Sequence, residues 1–181
     1  MTENFKPETQ EQVLELVKWA ADGGHTLDIS GNLSKKAYGR ATKEANGLSL
    51  AAFSGISLYE PEELVLAAGA GTPMSEIQAA LDLKNQFLAF EPMDFGPLLG
   101  MSPDKGTIGG ALACNLSGPR RIKSGAARDH LLGFNAVSGR GEVFKSGGRV
   151  VKNVTGFDLS KLMAGSMGTL AVLTDVTLKV L

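Results

Sequence analysis

The sequence predicts an α+β domain of two lobes. Three observations lead there. An amphipathic helical pattern opens the chain over residues 8–22. A hairpin pattern over 130–148 precedes a long alternating strand over 169–181. Glycine, at 23 of 181 residues, recurs between apolar runs without a period, which excludes collagen and favours tight turns or a backbone-lined ligand site. Helix–strand units come first and a hairpin-rich half second. The expected division is therefore lobe one over about 1–95 and lobe two over about 96–181.

The elements follow in order. "ETQEQVLELVKWAAD" (8–22) sets Val13, Leu16, Val17, Ala20 and Ala21 on one helix face, after Pro7 and before the stop at Gly23-Gly24. "TLDIS" (26–30) is a strand candidate and "GNLSKKAYG" (31–39) a polar loop. Strands are expected near 48–53, 56–59 and 64–69; the last belongs with lobe one in this reading. Thr72 as N-cap and Pro73 at the first helical position open a helix to about Asn85. Residues 90–106 read as loop, broken by Pro92, Gly96, Pro97 and Gly100. "PRRIKSGAARD" (119–129) reads as a basic connection, and Asp158 caps a short helix ending near Met163.

Composition narrows the function classes. Charges nearly cancel, 18 basic against 19 acidic, unlike a general nucleic-acid binder. No apolar run is long enough to span a bilayer, and the polar start "MTENFKPETQEQ" is unlike a signal peptide. One cysteine, Cys114, forms no internal disulfide and points to a reducing cytoplasm. Two histidines and one cysteine are too few for a zinc site, so no metal is expected.

Several motifs read as structural. "AGAGTPM" (68–74) lacks the third glycine of a dinucleotide fingerprint and is a tight strand-to-helix turn. Cys114 reads as a buried structural thiol, and His25 and His130 as surface or packing residues. Arg120, Arg121 and Arg128 suit either a phosphate or partner contact or a solvated loop.

Three segments resist that treatment together: "SGNLSKKAYG", "GTIGGALACNLSG" (106–118) and "NVTGFDLSKLMAGSMGTLAVLT" (153–174). Each mixes glycine with small hydrogen-bonding residues beside a strand. Together they suggest one extended ligand that touches backbone at several places.

Most of the chain, and above all "FEPMDFG" (90–96), "GTIGGALACNLSGPRR" (106–121) and the run from Ser124 to Leu181, resembles a known family. It is the PCMH-type FAD-binding domain shared by vanillyl-alcohol oxidase and p-cresol methylhydroxylase, and within it the FAD-binding subunits of bacterial glycolate oxidases. The resemblance implies non-covalent FAD lying extended between two lobes. It implies that Gly31, Asn32, Leu33, Ser34 and Lys35 form the pyrophosphate loop, and that Thr107, Gly109 and Gly110 line the flavin and ribityl side. Asn115, Ser117 and Gly118 would lie close by, Ser124, Gly125 and Asp129 would reach the diphosphate or adenosine end, and Gly168 and Val172 would close the site. It names no catalytic residue here, because the matching positions lie beyond residue 181, in a further substrate domain that this chain is expected to lack.

The family loop usually reads glycine-x-glycine-serine-lysine, so Leu33 stands at a glycine position and Asp28 where relatives often carry a basic residue. Leu33 either holds a strained left-handed backbone or packs into the lobe with negative φ.

The resemblance also implies a role. The chain would be the FAD-binding portion of a glycolate oxidase-type complex that oxidises a small 2-hydroxy acid, inactive alone. Its expected partners are a sister flavin subunit and an iron–sulfur subunit, in the cytoplasm or membrane-associated through partners. Two alternatives stand beside this: an FAD-free assembly module that docks to the sister subunit, and a relative acting on another hydroxy acid such as lactate.

Overall fold

The computed structural model describes residues 2–39, 45–148 and 156–181. Residues 153–155 of the third glycine-rich segment therefore lie outside the described residues. The chain runs β1 (Asn4–Phe5), α1 (Gln10–Gly23), β2 (Leu27–Ser30), β3 (Asn46–Ser49), β4 (Ile56–Glu60) and β5 (Val65–Gly69). Then come α2 (Met74–Asp82), α3 (Phe95–Leu98), α4 (Ile108–Ala113), α5 (Arg121–Ser124) and α6 (Ala127–His130). It closes with β6 (Leu131–Ser138), β7 (Val143–Gly147), α7 (Leu159–Met163) and β8 (Ala171–Lys179). Among the described residues the fold is α+β with two sheets: a parallel three-stranded sheet ordered β1-β3-β2 and an antiparallel five-stranded sheet ordered β4-β5-β8-β6-β7.

Local chemistry explains the elements that the sequence announced. Thr9 caps α1 by accepting from the Gln12 amide at 3.3 Å, and Gly24 stops it in the left-handed conformation at φ 63°. Val13, Val17 and Ala20 are buried from α1, whereas Ala21, expected on the same face, is exposed. Asp158 caps α7 through the Lys161 amide. The 138–141 turn joins β6 to β7 as expected, with Gly141 at φ 69°.

Other elements differ. The strand expected at 64–69 is β5, and it pairs with β4 and β8 in the five-stranded sheet, not with β2 or β3. Sheet membership thus changes between β3 and β4, near residue 50, well before residue 95. Strand periodicity reports that a strand exists and says nothing of its neighbour. The strand expected over 48–53 ends at Ser49, where the Leu50 carbonyl accepts from the Phe53 amide in a turn. Thr72 does not cap α2. Its buried hydroxyl donates to the Gly69 carbonyl at 2.6 Å, leaving Pro73 as an N-cap with no side-chain bond. The loop over 90–106 holds α3, capped by Asp94, and the basic connection over 119–129 holds α5 and α6.

Among the described residues, two apolar clusters hold the structure. The larger includes Leu66, Ile77, Leu81, Phe90, Ile108, Leu112 and Leu178, joining α2 and α4 to the five-stranded sheet. The smaller joins Val13 and Val17 of α1 to Leu48, Leu50, Val137 and Val172. By touching β3, β6 and β8 at once, α1 couples the two sheets.

Candidate functional site

Three backbone segments converge where the two sheets meet. The first is the 31–39 loop that follows β2. The second is the start of α4, stitched to the β5–α2 turn by bonds from the Ile108 amide to the Thr72 carbonyl (3.0 Å) and from the Gly109 amide to the Ala70 carbonyl (2.8 Å). The third is the 164–168 turn, which donates from Gly165 to the Leu112 carbonyl (3.0 Å) and from Met167 to the Ala113 carbonyl (2.8 Å). The Ala113 carbonyl at the end of α4 thereby gains a partner, and the Leu112 carbonyl, already accepting from the Asn115 amide at 2.9 Å, gains a second.

A cleft of two adjoining pockets lies between these segments. The smaller, about 80 Å³, has an apolar wall that includes Leu50, Ala70, Ala171 and Leu173. The larger, about 510 Å³, is lined by the 31–39 loop, Cys114 and the start of α4; its volume is within the usual range for small-molecule sites. Ile29, Ser30, Gly31, Thr107, Gly110, Ala113 and Met167 line both.

Glycine is required where the segments touch. A Cβ on Gly31 would stand 2.6 Å from Thr107 Oγ1, and one on Gly109 would stand 2.7 Å from the Ala70 carbonyl oxygen. Thr107 caps α4 by accepting from the Gly110 amide at 3.3 Å. Leu33 takes the strained alternative: φ is 59° and the side chain is half exposed.

The cleft's electrostatics centre on Lys35. Its ammonium donates to Ser34 Oγ at 3.3 Å. No carboxylate among the described residues forms an ion pair with it. Burial lowers its pKa, against the opposing pull of Cys114 and Asp94. Asp28 is neutralised locally by an ion pair with Lys36. Cys114, read from sequence as a buried thiol, is only half buried and lines the larger pocket. Burial pushes its pKa up, offset in part by Lys35, so it stays a protonated thiol at neutral pH.

The structure brings Gly31, Asn32, Leu33, Ser34, Lys35, Thr107 and Gly110 to the larger pocket, and Gly109 and Gly168 to the smaller. The remaining expected residues line neither. Asn115 Oδ1 accepts from the Arg128 amide (3.0 Å), Ser117 Oγ from the Ala127 amide (3.1 Å) and Asp129 Oδ2 from the Ala126 amide (2.9 Å). These three side chains serve the unpaired amides at the start of α6. Gly118 packs on Glu91 and donates to the Phe90 carbonyl at 2.8 Å. The Ser124 carbonyl accepts from His130 Nε2 at 2.8 Å, and Gly125 holds φ 88° beside Asp129. Val172 is a core residue under α1: strand alternation turns its neighbours Ala171 and Leu173 to the cleft and Val172 away. Tyr38, Ala113 and Met167 lie inside the three segments singled out in the sequence but were not themselves named, while Ile29, Leu50 and Ala70 lie outside them and were missed as lining residues, because a strand or turn residue carries no local sign that it faces a cleft.

Comparison with known proteins gives the following. The family described as "FAD binding domain" matches residues 4–147. Glycolate oxidase subunit GlcE of Escherichia coli (strain K12) is 42% identical over 171 residues, 94% of this chain and 47% of that protein. D-lactate dehydrogenase of Archaeoglobus fulgidus is 30% identical over 182 residues, 98% of this chain and 39% of that protein. A solved alkyldihydroxyacetonephosphate synthase superposes with TM-score 0.72 at 23% identity, over 97% of this chain and 31% of that one, which is a likeness of fold. The chain spans less than half the length of each of these proteins. Among the described residues, no helix is long and apolar enough to cross a membrane.

Proposed function

The chain belongs to the FAD-binding domain family, and from that premise we propose that it is the FAD-binding portion of a glycolate oxidase-type subunit in a complex that oxidises a small 2-hydroxy acid. When bound, FAD supplies the redox chemistry, and the protein supplies position and electrostatics.

The residues of the cleft fit that cofactor. FAD joins an anionic diphosphate to flat, largely apolar rings, and the cleft joins a cationic pocket to an apolar one. The single observation that carries the reading is Lys35, a partly buried ammonium on the cleft wall with no carboxylate ion pair among the described residues. A diphosphate completes its coordination. In this reading the 31–35 loop and Lys35 hold the diphosphate. Thr107 and Gly110 accept close approach of the ribityl and flavin side. Gly109 and Gly168 keep the smaller pocket open, while Asn115, Ser117 and Asp129 act through α6. No side chain of the cleft is assigned to the chemical step.

The names of the two relatives, glycolate oxidase subunit and D-lactate dehydrogenase, share a 2-hydroxy-acid substrate class, which supports that class over either acid. The proposed assembly includes a sister flavin subunit and an iron–sulfur subunit in the cytoplasm, with any membrane contact made by partners. The test is the visible spectrum of the purified chain after FAD loading and gel filtration. Oxidised-flavin absorbance that stays with the protein is expected. A colourless protein that cannot be loaded overturns the cofactor role and supports a docking module instead.

A further inference from the structure

Met167 combines three features that no other lining residue of the cleft brings together. It lines both pockets, at the junction between the apolar and the cationic one. It is 57% exposed although apolar. Its backbone is left-handed at φ 53°, in a turn where Gly165 (φ 87°) and Gly168 (φ 75°) take the same region without penalty. A glycine at 167 would suit the turn better.

The tertiary structure nevertheless holds this conformation. The Met167 amide donates to the Ala113 carbonyl and the Gly165 amide to the Leu112 carbonyl. The Thr169 amide and hydroxyl both bond the Ser166 carbonyl, at 3.0 and 2.7 Å. Gly168 abuts Ile29, for a Cβ there would lie 3.2 Å from Ile29 Cδ1. Leu33 shares the left-handed backbone and the exposure but lines the larger pocket alone, whereas Met167 lies where the two pockets join, so its side chain is the one set between an apolar and a cationic surface. Methionine is the apolar side chain best suited to adapt to a ligand surface, and its sulfur makes favourable contacts with aromatic rings.

We infer that Met167 is a binding residue whose thioether packs against an aromatic ring of FAD where the apolar pocket opens into the cationic one. The inference rests on the FAD reading above. The chemistry shared by the two ends of FAD is a planar aromatic ring, and binding of the two halves tells them apart.

The experiment is titration of FAD, ADP and FMN into wild type, Met167→Gln, Met167→Leu and Met167→Gly, with melting curves of each ligand-free protein. Met167→Gln keeps length and removes the apolar sulfur; Met167→Gly fits the left-handed backbone and removes the side chain. FAD affinity is expected to fall by about 2- to 10-fold in both and to stay within about twofold in Met167→Leu. The loss should appear with ADP or with FMN but not with both, which names the ring, and Met167→Gly should melt no lower than wild type. Undiminished FAD affinity in Met167→Gln and Met167→Gly overturns the assignment of Met167 alone. So does equal loss for both halves, or a loss accompanied by lower melting in Met167→Gly. A wild type that binds none of the three ligands overturns the FAD reading, and this inference with it.

Discussion

The Lys35 ammonium rests on Gly110: a Cβ built there would lie 3.2 Å from both Nζ and Cε of Lys35 and 3.2 Å from Thr107 Oγ1. The 31–39 loop and the start of α4 thus meet through a charged side chain lying over a residue without one. A side chain at 110 would compete with Lys35 and with any ligand for the same space.

Gly110→Val is therefore expected to remove FAD binding while leaving the fold largely intact. Lys35 is flexible at the end that would move, so the ligand-free protein adjusts by rotating it. Affinity should fall by more than about tenfold, about 1.4 kcal/mol, with a small change in melting temperature. Calorimetric titration beside thermal melts checks this; full FAD affinity in a folded variant refutes the placement.

Lys35 gives a pH signature. Burial lowers its pKa, so the charged form is the costly one in the folded chain. That cost is present in full below the folded pKa and fades as pH rises through it toward the ordinary lysine value. Ligand-free stability from this group thus rises with pH in the alkaline range. FAD affinity moves the opposite way, because a diphosphate attracts the ammonium and not the amine. In Lys35→Met both trends should vanish, along with part of the salt dependence of binding. Identical alkaline profiles for the two proteins would disprove a role for Lys35.

Leu33 holds a left-handed backbone at φ 59° with its side chain half exposed. Leu33→Gly removes roughly 1–2 kcal/mol of strain and adds roughly 0.5–1 kcal/mol of chain entropy to the unfolded state. The ligand-free protein should gain up to about 1.5 kcal/mol, and equal relief of strain in the free and bound forms leaves FAD affinity little changed. Denaturant melts read the first effect and FAD titration the second. A destabilised Leu33→Gly would mean that the leucine side chain packs more usefully than its exposure indicates.

Asn115, Ser117 and Asp129 each serve one amide at the start of α6. Replacing Asn115 or Asp129 by alanine should cost about 0.5–2 kcal/mol each, as for other caps. The double variant should lose less than the sum, because both side chains order the same short helix. Chemical denaturation of the four proteins measures this. Unchanged stability would show that water replaces the side chains without cost.

What the sequence determined by itself is local. The spacing of Val13, Val17 and Ala20, the stop at Gly24, the 138–141 turn and the cap at Asp158 are all written within a few residues, because helix period, left-handed glycine and capping act over one turn of chain. The glycine-rich segments that meet at the cleft were legible for the same reason: a position that tolerates no Cβ must be glycine wherever its neighbour comes from. The tertiary structure decided everything that depends on a distant partner. It paired β5 with β8 rather than with the first sheet, and it turned Val172 to the α1 core while giving Ala171 and Leu173 to the cleft. It brought the Gly55 amide to the Thr72 hydroxyl, 17 residues away, and the side chains of Asn115 and Ser117 to α6 amides 13 and 10 residues away. A hydroxyl or amide side chain looks the same in sequence whether it will bond a ligand or its own backbone. Its partner is whichever unsatisfied group the fold brings within 3 Å or so, because leaving a buried donor or acceptor unpaired costs about 1–3 kcal/mol.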